Sequence, residues 1–517
     1  MSNEETDVAW NYHNGTKHPN GIFLTRPHFY DSALRPIPYK TYSAELTQIP
    51  LKTTENPNKV STLQSISRIN LENKSKRLDV VSLANILYFS GGITKTINFA
   101  GLGDFEFRAA SCTGALYHIE IYVVCGDIDG LEAGVYHFDP KNMKLNQLRK
   151  GDFRNSLIHS TTDSAIKNAP AILVYTDIPT RNSVKYRTRE YRHAFWDSGT
   201  MIANTLAVCH SHGFNSKVVM GFVDQTVNDV VDVNTDKEFS LALVPIGYDD
   251  DGTAMSDGKL LDNDVQKLNF PTEPLSNYNF DDAEIKKIHQ HSSFSSLREI
   301  ENWKLHNATN SIDSSHCVDL KIQPSNITDE TIEQTIFKRG STRKFSRESI
   351  SYEQLSNILH YSTRGISIDY LEKPGESMIH LYVIANSVDG LNSGSYYFDQ
   401  NQNCLHLINE GDFRADAMHL GLNQALPLDG SVCVFYMANL DKILNKLGNR
   451  GYRAAQMEAS IIGGRVYLAA YSQGLGATGL TFYDDDVTEF FSPYSEKQNT
   501  MFMTVLGKKW KKSKSTD

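Results

Sequence analysis

With 517 residues the chain is too long for one ordinary hydrophobic core and long enough for two to four. Its 40% hydrophobic and 22% charged residues, mean hydropathy of -0.40 and lack of any apolar run of about 18 residues exclude a membrane-spanning protein. A formal net charge of -10 argues against a nucleic-acid surface, which needs clustered Lys and Arg.

Taken in chain order, MSNEETDVAW has neither the basic nor the apolar segment of a secretion signal, so a soluble cytoplasmic protein is expected. A strand-like run, LYHIEIYVV from Leu116, leads into Asp129-Gly130-Leu131, whose Asp-Gly chemistry suits a tight hairpin. A second apolar run starts at Ala171, and a proline-free helical stretch of about five turns then stops at Gly213. A third strand, FSLALVPIG from Phe239, ends on glycine. The polar stretch that follows, rich in Ser, Asn and His over 262–329, reads as a linker with short helices.

Beyond it the same order returns. DGLEAGVYHFDP at Asp129 recurs as DGLNSGSYYFDQ at Asp389, and GDFR at Gly151 recurs at Gly411, both 260 positions on; RTREYR ending at Arg192 matches GNRGYR ending at Arg453, 261 on. Three unlike words at one displacement mark a duplication. The expected fold is α+β, with a first unit over 1–261 that includes an arm over 1–60, and a second over 330–517. The six cysteines show neither metal spacing nor a disulfide framework, so no metal site is expected, and Cys125 and Cys433 read as buried thiols.

Arg339, Ser341 and Arg343 alternate within FKRGSTRKF, which lets two guanidiniums and a hydroxyl converge on one phosphate. With YHNGTKH at Tyr12–His18, RAASCTGALYHIEIYVV at Arg108, KYRTREYRHAFWDSG at Lys185 and RGSTRKF, the chain resembles the nitroreductase-like flavoproteins, and among them the SagB-type (thiazoline/oxazoline) dehydrogenases. The resemblance implies two nitroreductase-like α/β/α domains fused as a pseudo-dimer, with FMN between them. It assigns the FMN phosphate to Arg339, Ser341 and Arg343, a basic contact to Lys508 and Lys509, and the cover of the flavin ring to the loop containing Ser111, Cys112 and Gly114. Lys185 and Tyr186 become the proton-handling pair; a mere cap on the following helix is the plainer reading of both.

The halves are worn unequally. The second keeps the phosphate motif while its small-residue loop is reduced to EKPGES around Pro374; the first keeps the loop, with NKSKR at Asn73–Arg77 in place of the motif, and the counterpart of Lys185-Tyr186 is Lys446-Leu447. One composite site is expected, and a second phosphate held by Lys74, Ser75 and Arg77 stays open. Arg192 and Arg453, present in both halves, read as interface residues; His118 reads as a half-buried structural histidine, Glu120 as a partner for a basic group, and His13 and His18 as residues of an arm near the substrate channel.

The implied activity is dehydrogenation of azoline rings on a peptide during natural-product (RiPP) biosynthesis, with other peptide-modifying enzymes as partners. An NAD(P)H-dependent reductase of nitro compounds, quinones or enones, and a scaffold without flavin, are the alternatives. Whether the fused pair dimerises again is left open.

Overall fold

The computed structural model describes residues 2–20, 34–43, 45–54, 58–68, 76–99, 101, 103–249, 265–276, 281–305, 317–327, 330–372 and 375–511. Lys74, Ser75 and Pro374 lie outside them.

In the first half, β1 (Gln48–Pro50), β2 (Ile119–Cys125), β3 (Gly134–Asp139), β4 (Lys144–Lys150), β5 (Ala171–Asp177) and β6 (Phe239–Ile246) form an antiparallel sheet of order β1-β4-β3-β2-β5-β6. Every residue of β2, β5 and β6 is buried, because both sheet faces are covered. Ile121 and Val123 point into the main core, while Tyr122 and Val124 join a second cluster on the other face. Continuous apolar runs, rather than alternating ones, are what such strands require.

The second half repeats this with β7 (Cys317–Asp319), β8 (Ile379–Ala385), β9 (Gly394–Asp399), β10 (Cys404–Glu410), β11 (Val432–Ala438), β12 (Gly476–Gly479) and β13 (Asn499–Gly507), in the order β12-β13-β11-β8-β9-β10-β7. In the first hairpin, Ile128 and Leu131 exchange two N–H···O bonds of 3.0 Å around Asp129-Gly130. Gly130 at φ +82° and Gly390 at +86° supply the left-handed backbone at the two equivalent turns.

Two 23-residue helices, Glu190–His212 and Arg450–Ser472, pack against each other through the middle of the molecule. The first ends on Gly213 in the left-handed conformation. Close approach needs small residues: a Cβ on Gly199 would collide with the Ser460 hydroxyl, and one on Gly464 would lie 2.7 Å from Ala203. The Trp196 indole N–H donates to Gln456 Oε1 at 2.6 Å across this contact.

At the amino-terminal end of each long helix two buried arginines of one half grip an aspartate of the other. Arg189 and Arg192 donate to Asp484 (3.2 and 2.6 Å); Arg450 and Arg453, each 261 residues further on, donate to Asp224 (2.6 and 3.0 Å). Both aspartates open short helices, where the exposed N–H groups also favour an anion. The amino-terminal helix Asp7–Gly15 crosses the junction: its His13 carbonyl accepts from Arg192 at 2.7 Å, and its Ala9 N–H donates to Asn449 at 3.0 Å.

The polar stretch 262–329 does more than link. It contains the helix Ala283–His291, contributes β7 to the second sheet, and buries Ile285, Ile288, Phe294 and Trp303 in the core. Sparse apolar anchors in polar surroundings leave no period to read. Cys317 and Cys404 form a disulfide beside the β7–β10 pairing, contrary to the expectation of unpaired thiols. Their 87-residue separation hid an adjacency created only by the edge strand.

The halves differ at one pair of equivalent places. Beside the second helix, Trp303 donates to the Leu447 carbonyl at 2.8 Å and meets the Tyr370 ring edge-on at 5.5 Å. The Asp369 carboxylate accepts from the backbone of Met220 and Gly221 (3.0 and 2.7 Å), the counterparts of Leu480 and Thr481. Glu458, the counterpart of Asp197, accepts from Met378 N–H and Tyr370 hydroxyl at 3.0 and 3.1 Å. The recess is filled with protein, and burial there pushes the Glu458 carboxyl up to about 7 and that of Asp369 up to about 6.

Asp224→Ala or Asp484→Ala leaves two guanidiniums buried without their anion. Either substitution is expected to cost about 3–5 kcal/mol in urea unfolding; a loss below about 1 kcal/mol would match an exposed pair and contradict the clamp. Glu458, raised in the folded state, contributes fully below the ordinary carboxylate range and loses that contribution as pH rises toward 7. Between pH 5 and 8 the wild type should therefore lose on the order of 3 kcal/mol more stability than Glu458→Gln; parallel pH profiles would show that Glu458 titrates normally.

Candidate functional site

At the other equivalent place a cavity of about 940 Å³ stays open between the halves. Its first wall begins at the ribbon Ile93–Phe99/Gly103–Arg108, which delivers the turn Ser111–Ala115. Gly114 has φ +64°, and a Cβ there would sit 3.0 Å from the Tyr186 hydroxyl and 3.3 Å from its ring, so only glycine lets the phenol come this close.

The turn hangs on Asp197 of the long helix. Thr113 donates to its carboxylate through N–H (2.9 Å) and hydroxyl (2.8 Å), and Cys112 donates through Sγ at 3.0 Å. Burial and then Asp197 push the Cys112 thiol up to about 11, so it remains a neutral donor.

Lys185 and Tyr186 end the helix Pro179–Tyr186, where the chain breaks sharply at Arg187 (φ +52°) before the long helix. Both line the cavity. Burial lowers the Lys185 pKa, and Arg343 of the second half and Arg35 lower it further. Burial, then Asp197 and Cys112, raise that of Tyr186, whose phenol keeps its proton. The Lys185 ammonium sits 5.1 Å from the Tyr186 ring centroid, and His193 meets that ring edge-on at 4.6 Å.

From the second half, Ser341 and Arg343 face the same cavity, with Tyr467, Leu480 and Phe502 beside them. Thr342, between the two, points the other way to the Tyr471 hydroxyl at 3.1 Å, as alternation in an extended segment requires. Arg339 is not part of this wall. It stands where the helix Ile332–Lys338 ends, and its guanidinium donates to the carbonyls of Ala109 and Arg108, both at 2.9 Å, clasping the base of the first-half turn. Lys509 lies off the cavity with its ammonium 4.6 Å from the Tyr471 centroid, and Lys508 reaches Glu348 at 3.6 Å on the surface. Ser111, Cys112, Gly114, Lys185, Tyr186, Ser341 and Arg343 thus share one cavity. Arg77 is exposed away from it.

Of the two arm histidines expected near the substrate channel, His18 lines the cavity with Thr16 and Lys17, whereas His13 is buried behind it against Tyr452 and Arg192. Some contributors escaped sequence reasoning. His193, whose Nδ1 pairs with Asn182 Oδ1 at 2.9 Å, and Asp197 sit in the helix with no local motif to announce them. His118 is not half-buried but wholly enclosed, donating to Asp177 at 2.6 Å and to Asp197 at 2.8 Å. Metal-capable atoms of His118, Asp177 and Glu190 come within 4.8 Å of one another, but a ring bonded to carboxylates through both nitrogens is an imidazolium rather than a ligand. Glu120 pairs with Arg181 and, at 3.0 Å, with His137.

A model described as the nitroreductase family matches residues 93–248 and again 336–508. A presumed nitroreductase of Methanocaldococcus jannaschii, MJ1384, is 25% identical over 174 residues, 34% of this chain and 82% of that protein. The trifolitoxin-processing protein TfxB of Rhizobium leguminosarum bv. trifolii is 27% identical over 197 residues, 35% of this chain and 50% of that protein. A solved structure of a presumed nitroreductase from Anabaena variabilis matches with a TM-score of 0.75 at 23% identity, over 97% of this chain and 99% of its own, so the paired architecture recurs in another chain. The two matched segments hold both sheets' central strands and both long helices, and together cover more than half of the sequence; the chain belongs to the nitroreductase family.

Proposed function

We propose that this protein is an FMN-dependent oxidoreductase that dehydrogenates azoline rings, or a comparable ring carried on a peptide, at one composite site per chain. The observation that carries this reading is the division of the open cavity: Ser341 and Arg343 come from one half, the Gly114 turn with Lys185 and Tyr186 from the other, and the equivalent recess is filled.

The residues present fit the cofactor. Arg343 and the Ser341 hydroxyl offer the charge and the donor that a phosphate takes up. The turn around Gly114 carries only small side chains, and Trp196, Leu480 and Phe502 supply apolar wall. Bound FMN would supply hydride acceptance, the part of the chemistry no side chain can perform. At about 940 Å³ the cavity lies near the upper end of the roughly 300–1,000 Å³ of small-molecule pockets, which leaves room for substrate beside a cofactor.

Dehydrogenation also needs a base for the proton on the neighbouring carbon. Lys185 Nζ has the depressed basicity for that role, and it owes part of it to Arg343 across the junction. Tyr186, held protonated, donates to a ring heteroatom and fixes the substrate's orientation. A peptide substrate, and other peptide-modifying proteins as partners, draw support from the kinship to a trifolitoxin-processing protein.

The purified chain is expected to carry visible flavin absorbance with one FMN per chain; two would contradict the composite site, and none would sink the reading. Lys185→Met and Tyr186→Phe should keep the flavin and lower turnover of an azoline peptide about 10²- to 10⁴-fold. Arg343→Gln should loosen FMN by about tenfold or more in a fluorescence titration, the worth of a hydrogen bond to a charged group. Rapid bleaching by NADPH together with inertness toward azolines would assign the site to a nitro, quinone or ene reductase instead.

A further inference from the structure

Beneath the Ser111–Ala115 turn four buried titratable groups meet, of which Asp197 also borders the cavity. The Asp197 carboxylate, which holds the turn from below, accepts from His118 Nε2 at 2.8 Å; Nδ1 of the same ring donates to Asp177 at 2.6 Å and lies 3.4 Å from Glu190. Neither Glu190 oxygen has a hydrogen-bond partner of its own. Burial works against charging His118, but Asp177 on one nitrogen and Asp197 on the other outweigh it and hold the ring protonated. Burial and then Asp177 raise the Glu190 carboxyl, which keeps its proton. Within the set, His118 is therefore an imidazolium and Glu190 a neutral acid.

The other half provides an internal control. At 260 or 261 residues' displacement, Asp197, His118, Asp177 and Glu190 become Glu458, Met378, Ala438 and Gly451. Burial pushes the Glu458 carboxyl up to about 7, with no cation beside it to offset the effect. Of these two equivalent carboxyls, only Asp197 has a charged partner behind it.

We propose that Asp197, backed by His118, is the positioning residue of the open cavity: it folds the Cys112–Gly114 turn against Tyr186 and fixes where that phenol stands. Three bonds fix the turn from below, through Thr113 N–H, the Thr113 hydroxyl and the Cys112 thiol. The same turn presents Gly114 to the phenol without a side chain between. The titratable and charged groups that act at this point are His118, Cys112 and Tyr186 from the first half and Arg343 from the second; Arg343 opposes Asp197 at the phenol. The role assigned to Tyr186 rests on the function proposed above, while the bonds from the turn to Asp197 do not.

Cys112 reports on Asp197 without any turnover. Cys125, Cys209 and Cys433 are buried and Cys317 and Cys404 are bonded, so iodoacetamide modification of the full-length chain, followed by peptide mass spectrometry, isolates Cys112. In the wild type the alkylation rate should rise with a half-point near 11. Asp197→Asn should bring that half-point down by about one unit or more, and Asp197→Glu, which keeps the charge, should hold it within about half a unit of wild type. A half-point at the ordinary thiol value in the wild type, which needs no variant to fold, or an unchanged half-point in Asp197→Asn, would overturn the proposal. A chain purified without flavin would sink the proposed reaction and leave this titration standing.

Discussion

Four buried guanidiniums, Arg189, Arg192, Arg450 and Arg453, are the constraint on which the remaining structure depends. A buried charge must be neutralised within a few ångströms, and here each pair meets its carboxylate only in the opposite half. The pairs therefore act across the junction, at the amino-terminal ends of two parallel helices whose close contact the small residues Gly199 and Gly464 permit. Charge and packing together leave one relative placement of the two sheets. The cavity exists because of that placement, since its walls come from both halves and neither could enclose it alone.

The same pseudo-symmetry makes the asymmetry informative. Architecture, strand order and arginine clamps are shared, yet one equivalent place is a cavity of about 940 Å³ and the other is packed with Trp303, Tyr370 and Asp369. The duplication preserved what orients the halves and released what lined the second recess. Asp369 illustrates how completely: its carboxylate takes up the backbone donors of Met220 and Gly221, which would otherwise be left facing a void. Glu458 tells the same story in electrostatic terms, a carboxyl retained in the filled recess and raised by burial there.

At the open cavity, opposite charges are arranged in layers. Arg343 and Lys185 face one another across the junction, and that proximity lowers the basicity of the lysine. Behind the Ser111–Ala115 turn the sign reverses, with Asp197 backed by the His118 imidazolium. Tyr186 stands between the two fields and keeps its proton. Arg339, although named by the same short motif as Arg343, supports this arrangement from outside by clasping the carbonyls of Arg108 and Ala109.

The residues themselves determined the duplication, the α+β class, the main strands and the helix ending at Gly213, because each rests on local chemistry: continuous apolar runs, Asp-Gly turns, a glycine cap. The resemblance carried by their motifs also singled out Ser111, Gly114, Lys185, Tyr186, Ser341 and Arg343, which line one cavity. Only the tertiary structure decided that Arg339, Lys508 and Lys509 stand off the cavity, that Cys317 meets Cys404, that the polar stretch 262–329 is anchored by Phe294 and Trp303, and that Asp197 and His118 underlie the turn. In each of these the deciding partner lies tens to hundreds of positions away, brought near by a sheet edge or a helix crossing, and spacing along the chain carries no record of such a meeting.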